Sequence, residues 1–268
     1  MSVTMGDFDN DGLVDLHTNE WLPHFLRSKQ PDGSFASHAR LLRNGAAGKP
    51  GFFEDVTEAA GVGMEQPGEA GLLRELRYKV KVTEAGWSTL SKAEMAAKVE
   101  PGQTVRGEVV TVSNGVYSFA SALSDLDGDG WLDLVVAADF GSSLLFWNNR
   151  DGTFTEATVD AGFGRDQNGM GLSIGDVNGD GEPDVFVSSI FDHSERCRGG
   201  ACPFGWKGNV LYLNKGDGSR SFQEVGSKWG VDDSDWAWGS VLLDYDLDGD
   251  LDLACTAGYI MYETTWDE

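Results

Sequence analysis

The chain has few basic residues, few cysteines and no long apolar run. Its 268 residues include 20 lysines and arginines against 44 aspartates and glutamates, a formal net charge of −24 at pH 7. This charge opposes binding to nucleic acid and to anionic membrane surfaces, because both are themselves negative. No apolar run approaches the ~20 residues that a membrane-spanning helix needs, so we expect no membrane insertion.

The three cysteines define neither a disulfide framework nor a zinc motif. Cys197 and Cys202 stand in a glycine-rich stretch, where they could close a small disulfide. They could also begin a metal site, but no second cysteine pair accompanies them. Cys255 falls in an expected strand and is predicted to be a buried thiol. The chain begins inside a repeat, described below, and shows no signal peptide.

Motifs of the common enzyme classes are also missing. The sequence has no Gly-x-Ser-x-Gly elbow, no P-loop, no dinucleotide fingerprint and no His-Glu-x-x-His. We expect the histidines to be exposed loop residues: His17, His24, His38 and His193. Outside the acidic repeats, the carboxylates available for acid–base chemistry are Asp139, Asp192 and Glu195. No catalytic pair can be singled out from these.

The chain does contain four copies of one nine-residue acidic pattern, at residues 7–15, 125–133, 176–184 and 244–252, called loops 1 to 4 below. Each copy has an acid at positions 1, 5 and 9, Asp or Asn at position 3, and glycine at position 6. Calcium takes six to eight oxygen ligands, and glycine reaches the positive φ of a sharp turn without steric cost. The pattern therefore predicts calcium sites; the alternative is four acidic turns without metal.

The expected side-chain ligands occupy positions 1, 3, 5 and 9 of each loop. They are Asp7, Asp9, Asp11 and Asp15 in loop 1, Asp125, Asp127, Asp129 and Asp133 in loop 2, Asp176, Asn178, Asp180 and Asp184 in loop 3, and Asp244, Asp246, Asp248 and Asp252 in loop 4. An EF-hand would need a glutamate at position 12 and a helix after it. Position 12 is instead Thr18, Val136, Val187 or Cys255, and strand-forming residues follow each loop. Magnesium fits less well, because it tends to keep several waters.

The loops are embedded in a longer repeat. Short apolar runs precede and follow each loop, a third run ends in Asn44, Asn148 or Asn214, and a fourth begins at Phe52, Phe154 or Phe222. Four short strands per unit predict an all-β fold, a β-propeller-type array of four-stranded blades with about three and a half units.

The repeat spacing also predicts domain boundaries. They are blade 1 at 1–63, an insertion at 64–115, blade 2 at 116–163, blade 3 at 164–231 and a partial blade 4 at 232–268. The insertion is rich in basic residues, and we expect a small α+β element with a helix at 91–99 and a strand at 105–112. A tolerated surface insertion, a partner-binding element and a degenerate blade all fit this stretch.

In its loops and flanking strands the chain resembles the FG-GAP/VCBS repeat family, whose blades also occur in integrin α propellers. The Phe-x-[Glu/Asp]-x-Thr-x-x-Ala-Gly elements look closest to the subgroup of cartilage acidic protein and the ASPIC/UnbV proteins. The resemblance implies one Ca²⁺ in each of about four loops and an extracellular or periplasmic location. It also implies a further ligand at position 7, the backbone carbonyl of Leu13, Trp131, Glu182 or Asp250. Because both ends cut through a repeat, we expect a fragment of a longer protein; a small closed ring and an open array are the alternatives.

The function expected on this basis is a calcium-stabilised module for extracellular protein or carbohydrate binding and adhesion, with a structural metal. The alternative is the scaffold of a secreted polysaccharide-processing enzyme, and a third possibility is an architectural spacer. Among nine tryptophans, Trp131, Trp147, Trp229 and Trp238 are predicted to pack within blades. The tryptophans in or beside loops, which could contact sugars or a protein partner, are Trp21, Trp87, Trp206 and Trp236.

Overall fold

The computed structural model describes residues 2–21, 39–64, 77–83, 86–91, 105–106, 116–191 and 208–258. The chain divides into two compact units. The first consists of Met1–Met64 with Val116–Glu268, and the second of Glu65–Gly115. In the first unit, antiparallel sheets of short strands follow one another along the chain, as the repeat predicts.

Blade 1 is a four-stranded antiparallel sheet. Its strands, in sheet order, are β1 (Val3–Gly6), β2 (Asp15–Thr18), β3 (Arg40–Asn44) and β4 (Phe53–Asp55). Loop 1 joins β1 to β2. Strand order equals chain order, so each strand pairs antiparallel with the one before it.

The second compact unit contains a separate three-stranded sheet. Its strands are β5 (Arg77–Thr83), β6 (Gly86–Ser91) and β7 (Val105–Arg106), with β5 in the centre. Ser91, the expected first residue of a helix, ends strand β6 instead. The rest of that expected helix lies outside the described residues, as do residues 107–112 of the expected strand.

Blades 2 and 3 repeat the blade 1 sheet, and a half-blade follows them. Blade 2 contains β8 (Ser118–Ser124), β9 (Asp133–Ala138), β10 (Leu144–Asn148) and β11 (Phe154–Glu156). Blade 3 contains β12 (Gly169–Gly175), β13 (Asp184–Ser189), β14 (Val210–Asn214) and β15 (Phe222–Glu224). Half-blade 4 contains β16 (Ala237–Leu243) and β17 (Asp252–Ala257). A short helix, α1 (Gly226–Trp229), follows β15. The described part of the chain is therefore nearly all-β, and its four-stranded antiparallel sheets are β-propeller-type blades.

The first hairpin has the same register in every blade. The residue before each loop pairs with the ninth residue of that loop, as Ser124 does with Asp133. In β8, β12 and β16 the register shifts once, at Phe119, Met170 and Trp238. A bulge of this kind bends a strand and redirects a side chain. The loops were predicted from the sequence, but these bulges were not.

The hydrophobic core is shared between successive blades. Every residue of β9 and β13 is buried, because a central strand is covered on both faces by neighbouring sheets. One buried cluster joins residues of blades 1 and 2, including Phe8 and Phe154. A second joins blades 2 and 3, including Trp147 and Tyr212. Each interface therefore needs side chains from two repeats.

Backbone hydrogen bonds link the first residue of a fourth strand to the turn that follows the fourth strand of the preceding blade. The Phe154 N–H donates to the Ala60 carbonyl, and the Phe222 N–H donates to the Ala161 carbonyl, both at 2.8 Å. Gly162 follows Ala161 with φ 72°, and a Cβ there would stand 3.1 Å from the Phe222 carbonyl oxygen. A Cβ at Gly61 would likewise stand 3.2 Å from the Phe154 carbonyl oxygen, so the glycines that end blades 1 and 2 permit both the turn and the close approach of the next blade.

Several expectations outside the loops are corrected or lie outside the described residues. His17 is not an exposed loop residue: it lies on β2 with 1% of its surface exposed. Trp229 and Trp238, predicted to pack within blades, are each 43% exposed. The other histidines and Cys197, Cys202, Asp192, Glu195 and Trp206 lie outside the described residues. In the described part of the chain, no helix is both long and apolar enough to span a membrane.

Candidate metal centres

Each loop turns on its sixth residue, a glycine with positive φ. Gly12, Gly130, Gly181 and Gly249 have φ between 86° and 100°. A Cβ at these positions would meet no heavy atom within 4 Å. The glycine is therefore required by the backbone conformation and not by lack of space.

The carboxylate at position 1 organises the turn. Asp125 accepts hydrogen bonds from the Asp129 N–H at 2.9 Å and from the Gly130 N–H at 2.8 Å. Loops 1, 3 and 4 form the same pair of bonds to the amides of positions 5 and 6. Position 5 in turn accepts the N–H of position 7, as Asp129 does from Trp131 at 2.9 Å. These bonds fold the loop around its own acids.

The carboxylate at position 9 joins the loop to the sheet. Asp133 is 1% exposed and accepts the Leu126 N–H at 3.0 Å and the Asn148 N–H at 2.9 Å. Asp15 and Asp184 form the equivalent two bonds in blades 1 and 3. Asp252 accepts the N–H of Tyr245 at 3.2 Å. Position 9 therefore connects the loop to the end of the third strand wherever that strand is described.

The asparagine that ends the third strand also binds the preceding blade. The Asn148 Nδ2 donates to the Leu132 carbonyl of its own loop at 2.9 Å and to the Phe8 carbonyl of loop 1 at 2.8 Å. Asn214 donates likewise to the Leu126 carbonyl of loop 2 at 2.6 Å. From the sequence, this asparagine was interpreted only as the end of the third strand. Its recurrence at the same place in each repeat was the sequence signal that could have indicated a role in joining blades.

Three of the loops bring acidic side chains together. One ligand oxygen from each of three acids lies within 4.8 Å of the others in three groups: Asp7, Asp9 and Asp15; Asp125, Asp127 and Asp133; Asp244, Asp246 and Asp248. Among the described residues loop 3 forms no group of three acids, since Asn178 stands at its third position. The donor set suits a hard cation, because carboxylate and carbonyl oxygens are the ligands that Ca²⁺ prefers.

Burial makes the charged form of some of these acids unfavourable. It raises the pKa of Asp133 to about 7, despite the two N–H donors, and the charges of Asp127 and Asp129 add to the effect. Burial also raises the pKa of Asp9, Asp15 and Asp184 above the usual value. A divalent cation among these oxygens would favour the ionised carboxylates. The loops thus concentrate negative charge at points that a cation would stabilise.

Loop 2 has basic side chains against its acids. The Arg150 guanidinium donates to Asp129 Oδ2 from Nε at 2.7 Å. Arg220, from the β14–β15 turn of blade 3, forms ion pairs with Asp127 and Asp129. Its guanidinium also lies 5.4 Å from the centre of the Trp147 ring.

Other candidate residues take structural positions. His17 Nδ1 lies 2.9 Å from the Ser121 hydroxyl, and burial lowers its pKa to about 4, so it is neutral at pH 7. Asp139 accepts a hydrogen bond from the Trp21 indole N–H at 3.1 Å. Both contacts join blade 1 to blade 2.

An aromatic cluster lies at the start of the first strands, at the end opposite the acidic loops. Trp21 stands 5.6 Å from Tyr117 and 6.1 Å from Phe119, ring centre to ring centre. Phe119 stands 6.2 Å from Trp238 in an edge-to-face arrangement. Trp21 is 36% and Trp238 43% exposed. The cluster joins blades 1 and 2 to half-blade 4 and presents two indoles to solvent.

Comparison with known proteins agrees with the repeat geometry. The family described as FG-GAP-like repeat matches residues 125–187, which run from loop 2 into β13. Integrin alpha-7 of Rattus norvegicus is 27% identical over 154 residues, which cover 52% of this chain and 13% of the integrin. Integrin alpha-7 of Homo sapiens is 27% identical over 159 residues, 53% of this chain and 13% of the integrin.

Integrin alpha-3 of Mus musculus is 30% identical over 115 residues, 38% of this chain and 11% of the integrin. The chain therefore matches about an eighth of the length of these relatives. Placement within the cartilage acidic protein and ASPIC/UnbV subgroup is not addressed by these matches and stays a prediction. The match at residues 125–187, the likeness to the integrin α chains, the acidic loops and the four-stranded blades together support FG-GAP-like repeats in this chain.

Proposed function

We propose that the chain is a calcium-binding β-propeller module of an extracellular, adhesion-type protein, in which the metal is structural. The observation that carries this proposal is the convergence of acids within single hairpin loops, with three ligand oxygens within 4.8 Å of one another at three sites. The proposal includes one Ca²⁺ in each of the four loops. It also includes the blade boundaries predicted from the repeat spacing.

The proposed ligands are the side chains at positions 1, 3, 5 and 9 and the backbone carbonyl of position 7. When bound, the cation supplies two positive charges that offset the repulsion among these carboxylates. Position 1 follows the first strand and position 9 begins the second, so a shared cation would tie the two strands together at the loop. The Asn148 and Asn214 side chains, which donate to carbonyls of the preceding loop, would then also restrain the preceding blade.

The aromatic cluster of Trp21, Tyr117, Phe119 and Trp238 is the proposed ligand surface. Exposed indoles beside fixed polar groups favour contact with a protein partner or with the face of a sugar. The likeness to integrin α chains supports a protein ligand and an extracellular location. The metal loops lie at the other end of the first strands, so they would stabilise this surface without contacting the ligand.

Binding of the calcium-loaded chain to immobilised extracellular-matrix proteins and to a glycan array tests the proposal. We expect saturable binding to a protein that is weakened at least about tenfold by Trp21→Ala or Trp238→Ala, since aromatic anchors are typical binding hot spots. Trp229→Ala is the matched control, because Trp229 has the same 43% exposure as Trp238 and lies outside the cluster. Equal losses in all three variants, or no saturable binding to either array, would argue against this surface.

A further inference from the structure

Loop 2 differs from the other loops in the basic groups that contact it. Arg150 Nη2 lies 2.6 Å from Asp129 Oδ2, and Arg220 Nη2 lies 3.4 Å from the same oxygen and in contact with Asp127 Oδ2. The Asp127 and Asp129 side chains are only 6% and 9% exposed, whereas the arginine side chains are 42% and 53% exposed, so each ion pair is shielded from water on the carboxylate side. A partly shielded charge pair is stronger than one that is fully exposed.

The other loops have no such pairs in the described part of the chain. Near loop 1 the Arg43 guanidinium donates instead to Glu54, at 2.7 Å. Among the residues that the structure describes, no basic side chain forms an ion pair with a carboxylate of loops 3 and 4. The two arginines therefore distinguish loop 2 from loops 1 and 4, which have the same acids at positions 1, 3, 5 and 9.

The backbone at Arg150 gives an independent sign that its side chain is used. The Arg150 N–H donates to the Asn148 side-chain oxygen, and in blade 3 the Gly216 N–H donates to that of Asn214. The two residues thus occupy the same place in their turns, with φ 65° at Arg150 and φ 60° at Gly216. A left-handed conformation costs a residue with a Cβ about 1–2 kcal/mol, which glycine avoids. Arg150 therefore adopts a backbone conformation that would be more favourable for glycine. The side-chain contact that accompanies this conformation is the ion pair with Asp129.

We propose that Arg150 and Arg220 compete with calcium for Asp127 and Asp129, so that loop 2 takes up its cation at a higher calcium concentration than loops 1 and 4. A guanidinium and a divalent cation repel each other and cannot both occupy the lone pairs of one oxygen. Uptake of calcium in loop 2 then releases Arg220, which belongs to blade 3, from blade 2. This inference rests on the proposed calcium function and concerns the regulation of the same sites.

Terbium luminescence isolates loop 2. Tb³⁺ takes oxygen ligands as Ca²⁺ does, and its emission is sensitised by a nearby indole. Trp131 stands at position 7 of loop 2, where the other loops have Leu13, Glu182 and Asp250. The signal lost in Trp131→Leu, which keeps the backbone carbonyl, is the loop 2 signal. The test compares wild type, Arg150→Gln, Arg220→Gln and the double variant, with Arg40→Gln as the control because Arg40 pairs with Asp55 of blade 1.

We expect the double variant to reach half-saturation of the Trp131-dependent signal at about tenfold lower Tb³⁺ concentration, a common size for coupling between competing ligands. The metal-free double variant should also melt at a lower temperature than wild type, and Arg40→Gln should leave the Tb³⁺ midpoint unchanged. Arg220→Lys, which keeps the charge but not the forked geometry, should fall between wild type and Arg220→Gln. Both arginines are about half exposed, so these variants should fold.

If the double variant reached half-saturation at the same or a higher Tb³⁺ concentration than wild type, the proposed competition would be wrong, even where calcium still raises the melting temperature. A chain with neither Tb³⁺ luminescence nor any calcium-dependent change in melting would overturn the calcium function itself, and the competition with it. The two failures therefore give different results on one set of samples.

Discussion

At the scale of single residues, the carboxylates of one loop have different structural roles. The acid at position 1 accepts amides within the turn, as Asp125 does from Asp129 and Gly130. The acid at position 9 accepts an amide from the third strand, as Asp133 does from Asn148. Their equal spacing in the sequence predicted a shared cation. It gave no sign of these two separate backbone roles, because both positions carry the same residue type.

Position 4 of the loops offers a stabilising substitution. Leu247 occupies it in loop 4 with φ 62° and 87% exposure, whereas loop 1 has Asn10 there with φ 54°. Asparagine tolerates the left-handed conformation better than leucine does. We expect Leu247→Asn to raise the free energy of unfolding by about 0.5–1 kcal/mol in urea titrations. Val159→Asn removes a side chain of similar exposure, 86%, at a residue without positive φ, and should give no gain.

Asp166 is a buried carboxylate outside the loops. It is 2% exposed, its Oδ2 accepts the Ser143 hydroxyl at 2.6 Å, and its Oδ1 has no hydrogen-bond partner in the described part of the chain. Burial raises its pKa to about 6. The proton is therefore bound more tightly in the folded than in the unfolded chain. The resulting stability is complete below about pH 4 and is lost as the pH rises through about 6.

Asp166→Asn should remove this pH dependence, because an amide does not ionise. In urea titrations at pH 8 we expect the free energy of unfolding of the variant to exceed that of wild type by about 1–3 kcal/mol. At pH 4.5 most of this difference should be lost. Asp151→Asn is the control of opposite sign, since hydrogen bonds from Thr153 lower the pKa of that exposed carboxyl. A constant difference between wild type and Asp166→Asn across this pH range would refute the assignment.

At the scale of strands and turns, the repeat determined most of what could be predicted. Strand order and the register of each first hairpin follow from loops of constant length flanked by strand formers. The bulges at Phe119, Met170 and Trp238 could not be predicted, because a register shift depends on packing between blades. For the same reason the burial of His17 was missed: its partner Ser121 belongs to the next blade.

The strand-final asparagines test how blades are joined. Asn148 is 2% exposed and its side-chain amide donates to the Leu132 and Phe8 carbonyls, so Asn148→Ala would leave these two carbonyl groups without that donor. We expect it to lower the free energy of unfolding by about 2–4 kcal/mol.

The neighbouring Asn149 is a matched control for that variant. It is exposed, and within the described part of the chain its side chain bonds only to Thr153 and Thr155 of its own hairpin. Asn149→Ala should therefore cost less than about 0.5–1 kcal/mol. Equal losses for the two variants in chemical denaturation would show that the bond from Asn148 to the Phe8 carbonyl adds little to the contact between blades.

At the scale of the whole molecule, the distribution of charge explains why the loops should depend on a cation. The chain carries a formal net charge of −24, and four loops of four ligand positions hold much of its acid. Successive blades share hydrophobic core clusters, so charge repulsion that distorts one loop would also destabilise the packing of the next sheet. A ligand that binds only the folded chain stabilises it by mass action, and each Ca²⁺ also removes local repulsion.

The measurement that tests this account most directly is the melting temperature of the whole chain as a function of free calcium. We expect the melting temperature to rise by about 10 °C or more between excess chelator and millimolar calcium, since occupation at 100 times Kd contributes about 2.7 kcal/mol per site. Magnesium at equal ionic strength should give a much smaller rise, and Asp7→Asn with Asp125→Asn and Asp244→Asn should remove most of the calcium effect. A melting temperature that is the same in excess chelator and in millimolar calcium would contradict the structural role of the metal.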